Sequence, residues 1–139
     1  MTALRFHIPG TPVAKGRARA TMRGGHARLY TPAKTVAYEG MVALAGQDAM
    51  DGREPLEGPL RVELVATFRI PASWSKKKRA EAVAGTAWHI SRPDGDNVLK
   101  AIGDGLNGVV WRDDAMIASS EVAKRYGVVP GVAVTVIAL

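Results

Sequence analysis

The segment "LRVELVATFRI", residues 60–70, places the strongest constraint on the fold of this 139-residue chain. Apolar side chains recur at every second position, which is the period of a β-strand whose two faces meet different environments. One face carries only apolar side chains, namely Leu60, Val62, Leu64, Ala66, Phe68 and Ile70. We expect this strand to lie against a core, since a chain of this size buries roughly two-thirds of its unfolded surface.

Other segments predict further strands. "ALRFHI" alternates like a half-buried strand, and "MIASSEVAKRY" and "GVAVTVIAL" predict two more near the C-terminus. Two short extended arms surround Arg23-Gly24-Gly25, a pattern typical of a hairpin. The apolar residues of this hairpin are small, so we expect it to be mobile and to lie outside the core.

Start and stop signals predict two of the helices. The first has Thr31 as its N-cap, Pro32 in its first position and an end near Met50. The side chains expected on or near its inner face are Val36, Met41 and Leu44. The second is a short helix within "PASWSKKKRAEAVAG", capped by Ser73 or Ser75 and ended by Gly85.

A third helix is predicted over residues 96–107 and has a wide apolar face. At ~100° per residue, its polar side chains fall in one quadrant of the helical wheel. These polar residues are Asp96, Asn97, Lys100, Asp104 and Asn107. We expect the helix to be largely buried, with the polar stripe facing a cleft, and Asp96 to cap its N-terminus.

Two acidic pairs flank this helix. Asp94 and Asp96 can point the same way across a turn, and Asp113 and Asp114 follow the next apolar run. Nearby carboxylates raise each other's pKa unless a cation compensates, and Mg²⁺ prefers such oxygen ligands. The alternatives are a capped helix with Lys100 paired between two acids, and an ordinary polar turn. We favour a metal site, because two acidic clusters are joined by one buried helix.

The charge distribution favours a polyanionic partner. The formal net charge is +6, and residues 1–40 carry seven bases against the single acid Glu39. A basic surface attracts nucleic acid by releasing counterions. The residues expected to contact DNA are Lys15, Arg17, Arg19, Arg23, Arg28, Lys76 and Lys77. The three histidines are scattered, and we expect each to be structural or exposed.

Composition excludes several classes of protein. The chain has no cysteine, so disulfides and thiolate metal sites are excluded. It has no apolar run long enough to span a bilayer, and its N-terminus lacks the core of a signal peptide. We therefore expect a soluble cytoplasmic protein.

The stretch "RPDGDNVLKAIGDGLNGVVWRDDAMI" resembles the signature of the RusA family, the phage-type Holliday junction resolvases. That signature is Asp-x-Asp-Asn-x-x-Lys, then Asp-x-Leu, then Trp-x-Asp-Asp. "PVAKGRARAT" and "YTPAKTVAYE" resemble the N-terminal part of phage members, and "SWSKKKRAEAVAG" and "KRYGVVPGVAV" resemble the remainder. The resemblance covers nearly the whole chain, although Gly95 stands where a larger aliphatic residue is more usual.

The resemblance implies a single α+β domain over residues 1–139, with a mixed β-sheet packed against helices. It implies a Mg²⁺-dependent endodeoxyribonuclease, with Mn²⁺ as a possible substitute, that acts as a homodimer on four-way DNA junctions in recombination and repair. A bacterial cytoplasm and a phage or prophage origin are expected. Asp94, Asp96 and Asp114 match the metal-binding carboxylates and Lys100 the catalytic lysine, while Asp113, the second acid of its pair, is a further candidate metal ligand.

Two other functions remain open at this point. A DNA-binding module without catalytic activity would need the basic segments but not the acids. A metal-dependent nuclease of different preference would cut flaps or RNA. Metal-dependent cleavage separates the first alternative from a resolvase, and a panel of nucleic acid substrates separates the second.

Overall fold

The computed structural model of the protein describes residues 3–15, 19–30 and 32–139. The chain begins with strand β1 (Ala3–Pro9), followed by a hairpin of β2 (Arg19–Arg23) and β3 (His26–Tyr30). The elements that follow are α1 (Ala33–Met50), β4 (Leu60–Arg69), α2 (Lys76–Ala84), α3 (Gly95–Leu106), a 3₁₀ helix (Asp114–Met116), β5 (Ile117–Gly127) and β6 (Gly131–Ala138). In the described ranges, no helix is both long and apolar enough to cross a membrane.

The main sheet has four strands in the order β1-β6-β4-β5. β6 pairs antiparallel with both β1 and β4, whereas β4 and β5 are parallel. The predicted single α+β domain with a mixed sheet is therefore confirmed. A parallel pair needs a long crossover connection, and here that connection contains α2 and α3. The crossover brings α3 next to the start of β5, where the candidate site lies.

The alternation in β4 is confirmed by burial. Leu60, Val62, Leu64 and Ala66 are at most 1% exposed, while the residues between them are partly or largely accessible. Because β4 lies between β6 and β5, its apolar face becomes the centre of the core. Val132, Val134 and Val136 of β6 add to the same cluster.

Helices α1 and α3 approach closely through glycine. A Cβ atom at Gly46 of α1 would lie 2.6 Å from Leu106 Cδ2, and one at Gly105 of α3 would lie 2.7 Å from Val42 Cγ1. Real Cβ atoms do not come so near to other atoms, so a larger residue at either position would force its neighbours to shift. This close approach fixes which face of α3 turns inward.

The predicted inner face of α1 is wrong. Val36, Met41 and Leu44 are 54%, 43% and 59% exposed. The buried residues of α1 are Thr35, Tyr38, Val42, Gly46 and Met50. Small and apolar residues occur all around this helix, so its periodicity carries little information, and the glycine contact with α3 decides the orientation.

Local signals predicted some of the helix ends correctly and others wrongly. Ser75 caps α2 by accepting a hydrogen bond from the Lys78 N–H at 3.2 Å, and Gly85 ends it with a φ of 81°, as expected. The N-cap of α3 is Asp94, so the expectation that Asp96 caps it is wrong, and Asp96 lies in the first turn instead. Pro32 is the N-cap of α1 and precedes its first turn, and Thr31 lies outside the described residues.

Candidate active site

A pocket of about 350 Å³ opens where α3 meets the start of β5. Its lining residues are Asp96, Leu99, Lys100, Gly103, Asp114, Ile117 and Ser120. Two of the four acids predicted to bind metal and the predicted catalytic lysine therefore line the same cavity. Asp96, Lys100 and Gly103 follow each other at helical spacing, so one stripe of α3 forms a wall of the pocket.

The apolar face of α3 fixes the direction of this stripe. Val98, Ala101, Ile102 and Leu106 are at most 1% exposed, as the wide apolar face predicted. With these side chains in the core, the opposite stripe has to face solvent. Asp96 and Lys100 are exposed, and among the described residues the Asp96 carboxylate has no hydrogen-bond or ion-pair partner.

Asp114 is held at the other wall by two side chains that cap backbone groups. The side-chain oxygen of Asn107, the C-cap of α3, accepts a hydrogen bond from the Asp114 N–H at 3.0 Å. Asp113 accepts one from the Ala115 N–H at 2.9 Å and so caps the 3₁₀ helix. A Cβ atom at Gly103 would lie 4.0 Å from Asp114 Oδ2, so the helix leaves room for this carboxylate.

The surroundings of Asp114 raise the pKa of its carboxyl group. Desolvation by burial, a side-chain hydrogen bond with Asp113, and repulsion from Asp113 and Asp104 raise the pKa of Asp114, while the Lys100 charge opposes the rise. A carboxylate in such surroundings gains from any further positive charge close to it. The pocket is therefore an environment in which a bound cation would be stabilising.

Lys15 lies beside the pocket in a cluster of charged residues. Its Nζ is 2.6 Å from Glu39 Oε1 and 3.1 Å from Asp104 Oδ2, and Lys100 Nζ approaches the same Asp104 oxygen at 3.9 Å. Hydrogen bonding to Glu39 is the largest cause of a raised pKa at Lys15. The Lys15 N–H also donates to the Asn97 carbonyl at 3.4 Å. These bonds attach the N-terminal loop to both α1 and α3.

Asp94 lies apart from the pocket. As the N-cap of α3 it makes no side-chain capping hydrogen bond, and it lines a separate open cavity of about 930 Å³. Within residues 3–15, 19–30 and 32–139, no group of three or more histidine, aspartate or glutamate side chains is arranged to hold a metal ion. That Asp94, Asp96 and Asp114 converge on one ion stays a prediction.

The predicted DNA-contacting residues lie on different parts of the molecule. β2 and β3 form a two-stranded sheet of their own, joined at Gly24 and Gly25, both of positive φ, so the hairpin prediction is confirmed. Arg17 lies outside the described residues. Lys76 and Lys77 are exposed on the first turn of α2.

Sequence reasoning missed the roles of two residues at the site. Asn107 was predicted only as part of the polar stripe of α3, and its position two turns after Lys100 was the available signal. Ser120 lines the pocket because alternate side chains of β5 share a face with Val122, whose Cγ1 would lie 3.6 Å from a Cβ atom at Gly95 of α3. The long-range partners of Lys15 had no local signal.

Comparison with known protein families identifies the family to which this fold and site belong. The family model of the endodeoxyribonuclease RusA matches residues 9–137, nearly the whole chain. The chain belongs to the RusA endodeoxyribonuclease family.

One relative aligns with this chain over nearly the full length of both proteins. It is the protein described as "Uncharacterized protein YqaN" of Bacillus subtilis (strain 168), which is 31% identical over 138 residues. The alignment covers 98% of this chain and 96% of the relative.

Proposed function

We propose that this protein is a Mg²⁺-dependent, structure-selective endodeoxyribonuclease that resolves four-way DNA junctions by paired symmetric nicks, in DNA recombination and repair. One observation carries the proposal: Asp96, Asp114 and Lys100 line one solvent-open pocket in a member of the RusA family. Membership of the family supports DNA cleavage, and the pocket provides residues suited to it.

The residues at the pocket fit a hard divalent cation. Asp96 and Asp114 would hold it, and Asp94 would join them from the N-cap of α3. All three offer carboxylate oxygens, the ligands that Mg²⁺ prefers. Exposed side chains change rotamer within nanoseconds, so the separate position of the free Asp94 carboxylate does not prevent it from turning toward an ion. When bound, such an ion activates water and neutralises a phosphate.

Lys100 is suited to act on the scissile phosphate. Its side chain is 60% exposed and lines the pocket, so its ammonium group can reach a bound backbone. Asp104, 3.9 Å away, holds the lysine without covering it. A fixed positive charge near the phosphate stabilises the negative charge that develops on oxygen in the transition state.

The basic residues provide affinity for DNA without reading sequence. Contacts with phosphate place a duplex on a protein, and contacts with base edges give specificity. We assign the phosphate contacts to the hairpin region and to the exposed Lys76 and Lys77 of α2. Lys15 already pairs with two carboxylates, so it is the least suited of the predicted DNA-contacting residues to bind a phosphate.

A homodimer accounts for paired nicks. A four-way junction has two-fold symmetry, and two sites related by a C₂ axis match it. Sedimentation of the free protein should give twice the 14.8 kDa chain mass. A strict monomer, both free and bound to DNA, would refute the symmetric arrangement.

The test of the proposed function is cleavage of a substrate panel under single-turnover conditions. Four-way junctions, flaps, linear duplex and RNA are compared with Mg²⁺, with Mn²⁺ and with chelator, alongside Asp96→Asn as the inactive control. We expect symmetric nicks in the junction that need the metal and the Asp96 carboxylate. Binding without cleavage would indicate a DNA-binding module, and preferred cutting of flaps or RNA would indicate a different nuclease.

A further inference from the structure

A lysine outside the pocket holds the segment that leads into α3. Lys124, half-buried on β5, donates hydrogen bonds from Nζ to the carbonyl oxygens of Ser91 at 2.8 Å and Pro93 at 2.9 Å. Its own carbonyl oxygen accepts a bond from the His89 N–H at 3.3 Å. Residues 89–93 are therefore bound at three points to one residue of the sheet.

The start of this segment is anchored in the core. His89 is 7% exposed, its ring stacks on Phe68 with 3.8 Å between ring centroids, and its centroid lies 5.0 Å from that of Tyr126. Burial, with the Lys124 charge as a second cause, lowers the pKa of His89 and so favours the neutral ring. The segment thus runs from a buried aromatic stack, past the Lys124 ammonium group, to the residue before Asp94.

Asp94 depends on this arrangement because, among the residues that the structure describes, none binds its side chain. Its carboxylate makes no capping hydrogen bond, and its carbonyl oxygen accepts the helical bond from the Val98 N–H at 3.1 Å. Among the described residues, no carboxylate lies within 4.0 Å of Lys124 Nζ. The ammonium group therefore serves two backbone carbonyls, and the backbone sets the position of Asp94.

We propose that Lys124 is a positioning residue of the nuclease site, which holds the 91–93 backbone so that the Asp94 carboxylate can reach the metal ion. This inference rests on the proposed function. Residues that orient ligands through one intermediate contact typically change metal affinity or activity by about 10- to 100-fold when removed. Lys124 acts through hydrogen bonds to carbonyl groups, so its effect should appear in catalysis and metal demand more than in DNA affinity.

The experiment compares Lys124→Met, Lys124→Arg and a matched control, Arg61→Met. Arg61 also projects from the main sheet and binds Ser119 and Glu121 across to β5, but it lies about 16 Å along the strands from Lys124. Three quantities are measured: amide hydrogen exchange of His89 and Val98, whose N–H groups are bonded at the two ends of the segment, without metal or DNA; Mn²⁺ binding by titration calorimetry; and single-turnover cleavage at saturating enzyme.

We expect Lys124→Met to exchange faster at the His89 and Val98 amides, to need about 10- to 100-fold more Mn²⁺ and to cleave correspondingly more slowly. Junction Kd should change by less than about threefold, since only one positive charge among many is removed. Lys124→Arg should restore much of the activity, because its guanidinium can donate to both carbonyls. Arg61→Met should match the wild type in all three measurements.

Other outcomes overturn the inference in distinct ways. Wild-type exchange, metal demand and rate in Lys124→Met would show that Lys124 does not position Asp94. A large rise in junction Kd at an unchanged rate would make Lys124 a phosphate contact. If Lys124→Met does not fold, Lys124→Gln, which keeps one donor group without the charge, is judged by the same criteria. A wild-type protein that neither binds Mn²⁺ nor cuts DNA would refute the proposed function first, and the inference with it.

Discussion

Replacing Lys15 with methionine tests whether this residue stabilises the fold or contacts DNA. The charge pattern predicts a phosphate contact, whereas the structure places Lys15 Nζ 2.6 Å from Glu39 and 3.1 Å from Asp104. Its side chain is only 23% exposed. Methionine keeps most of the apolar stem and removes the ammonium group, so the change isolates the role of the charge.

The magnitude follows from the two ion pairs. Exposed ion pairs contribute about 0.2–1 kcal/mol each, and hydrogen bonds to charged groups about 1.5–3 kcal/mol. Both pairs are half-buried, and removing the ammonium group leaves Glu39 without a cation and Asp104 with only the more distant Lys100, at 3.9 Å. We expect Lys15→Met to lower the free energy of unfolding by about 1–3 kcal/mol, which corresponds to a drop in Tm of roughly 3–12 °C.

The pH dependence follows the sign of the shift. Pairing raises the pKa of Lys15 above its ordinary value of 10.5, so its contribution is fully present below that value. The contribution is lost as the pH rises through the higher pKa of the folded state. The stability difference between wild type and Lys15→Met should therefore persist at neutral pH and narrow only in strong alkali.

Two assays together decide the role of Lys15. Thermal unfolding gives the stability change, with Lys34→Met as the control because Lys34 is exposed and has no ion-pair partner among the described residues. Junction affinity measured over a range of salt gives the number of neutralised phosphates, since each phosphate that the protein ceases to neutralise lowers the log–log slope by ~0.9. An unchanged Tm together with a slope reduced by about one unit would refute the structural role and restore the phosphate contact.

Three further predictions concern cleavage and binding. Asp96→Asn should greatly reduce cleavage but not junction affinity, because removing negative charge does not weaken attraction to phosphate, and full activity by gel assay would exclude Asp96 from the site. Lys100→Ala should lower the single-turnover rate more than the affinity, with poor rescue by Lys100→Arg because guanidinium differs in shape and reach, whereas a normal rate would leave Lys100 only a structural partner of Asp104. Neutralising Arg17, Arg19 and Arg23 together should weaken junction binding and lower the log–log salt slope by ~0.9 for each phosphate that is no longer neutralised, and an unchanged slope would move the DNA path toward α2.

Elements with strong local signals could be predicted from the sequence. The alternation in β4 requires only that neighbouring side chains point to opposite faces, and the ends of α2 require only Ser75 and Gly85. The orientation of α1 could not be predicted, because Gly46 matters only once Leu106, 60 positions later, is packed against it. Periodicity describes one helix or strand at a time, so it cannot predict an orientation that is set by a contact between two elements.

The same limit applies to the site. The helical wheel placed Asp96 and Lys100 on one stripe because both belong to one helix. It could not show that the Asn107 side chain would hold the Asp114 backbone, or that Lys124 would hold the segment before Asp94, since these hydrogen bonds join separate elements. The acidic residues are visible in the sequence, whereas the polar groups that position them depend on the crossover between β4 and β5.

The charges around the pocket give a physical reason for the pairing of Lys15. Two ammonium groups and four carboxylates meet there, contributed by Lys15, Lys100, Glu39, Asp96, Asp104 and Asp114. Lys15 and Lys100 both approach Asp104, so the two ammonium groups share this carboxylate. When these carboxylates and that of Asp113, which lies against Asp114, are ionised, negative charge is in excess, and a bound divalent cation would reduce that excess. Without Lys15 the excess negative charge would be larger and would repel DNA phosphate more strongly. The Lys15 ammonium group therefore helps a nuclease by limiting that excess.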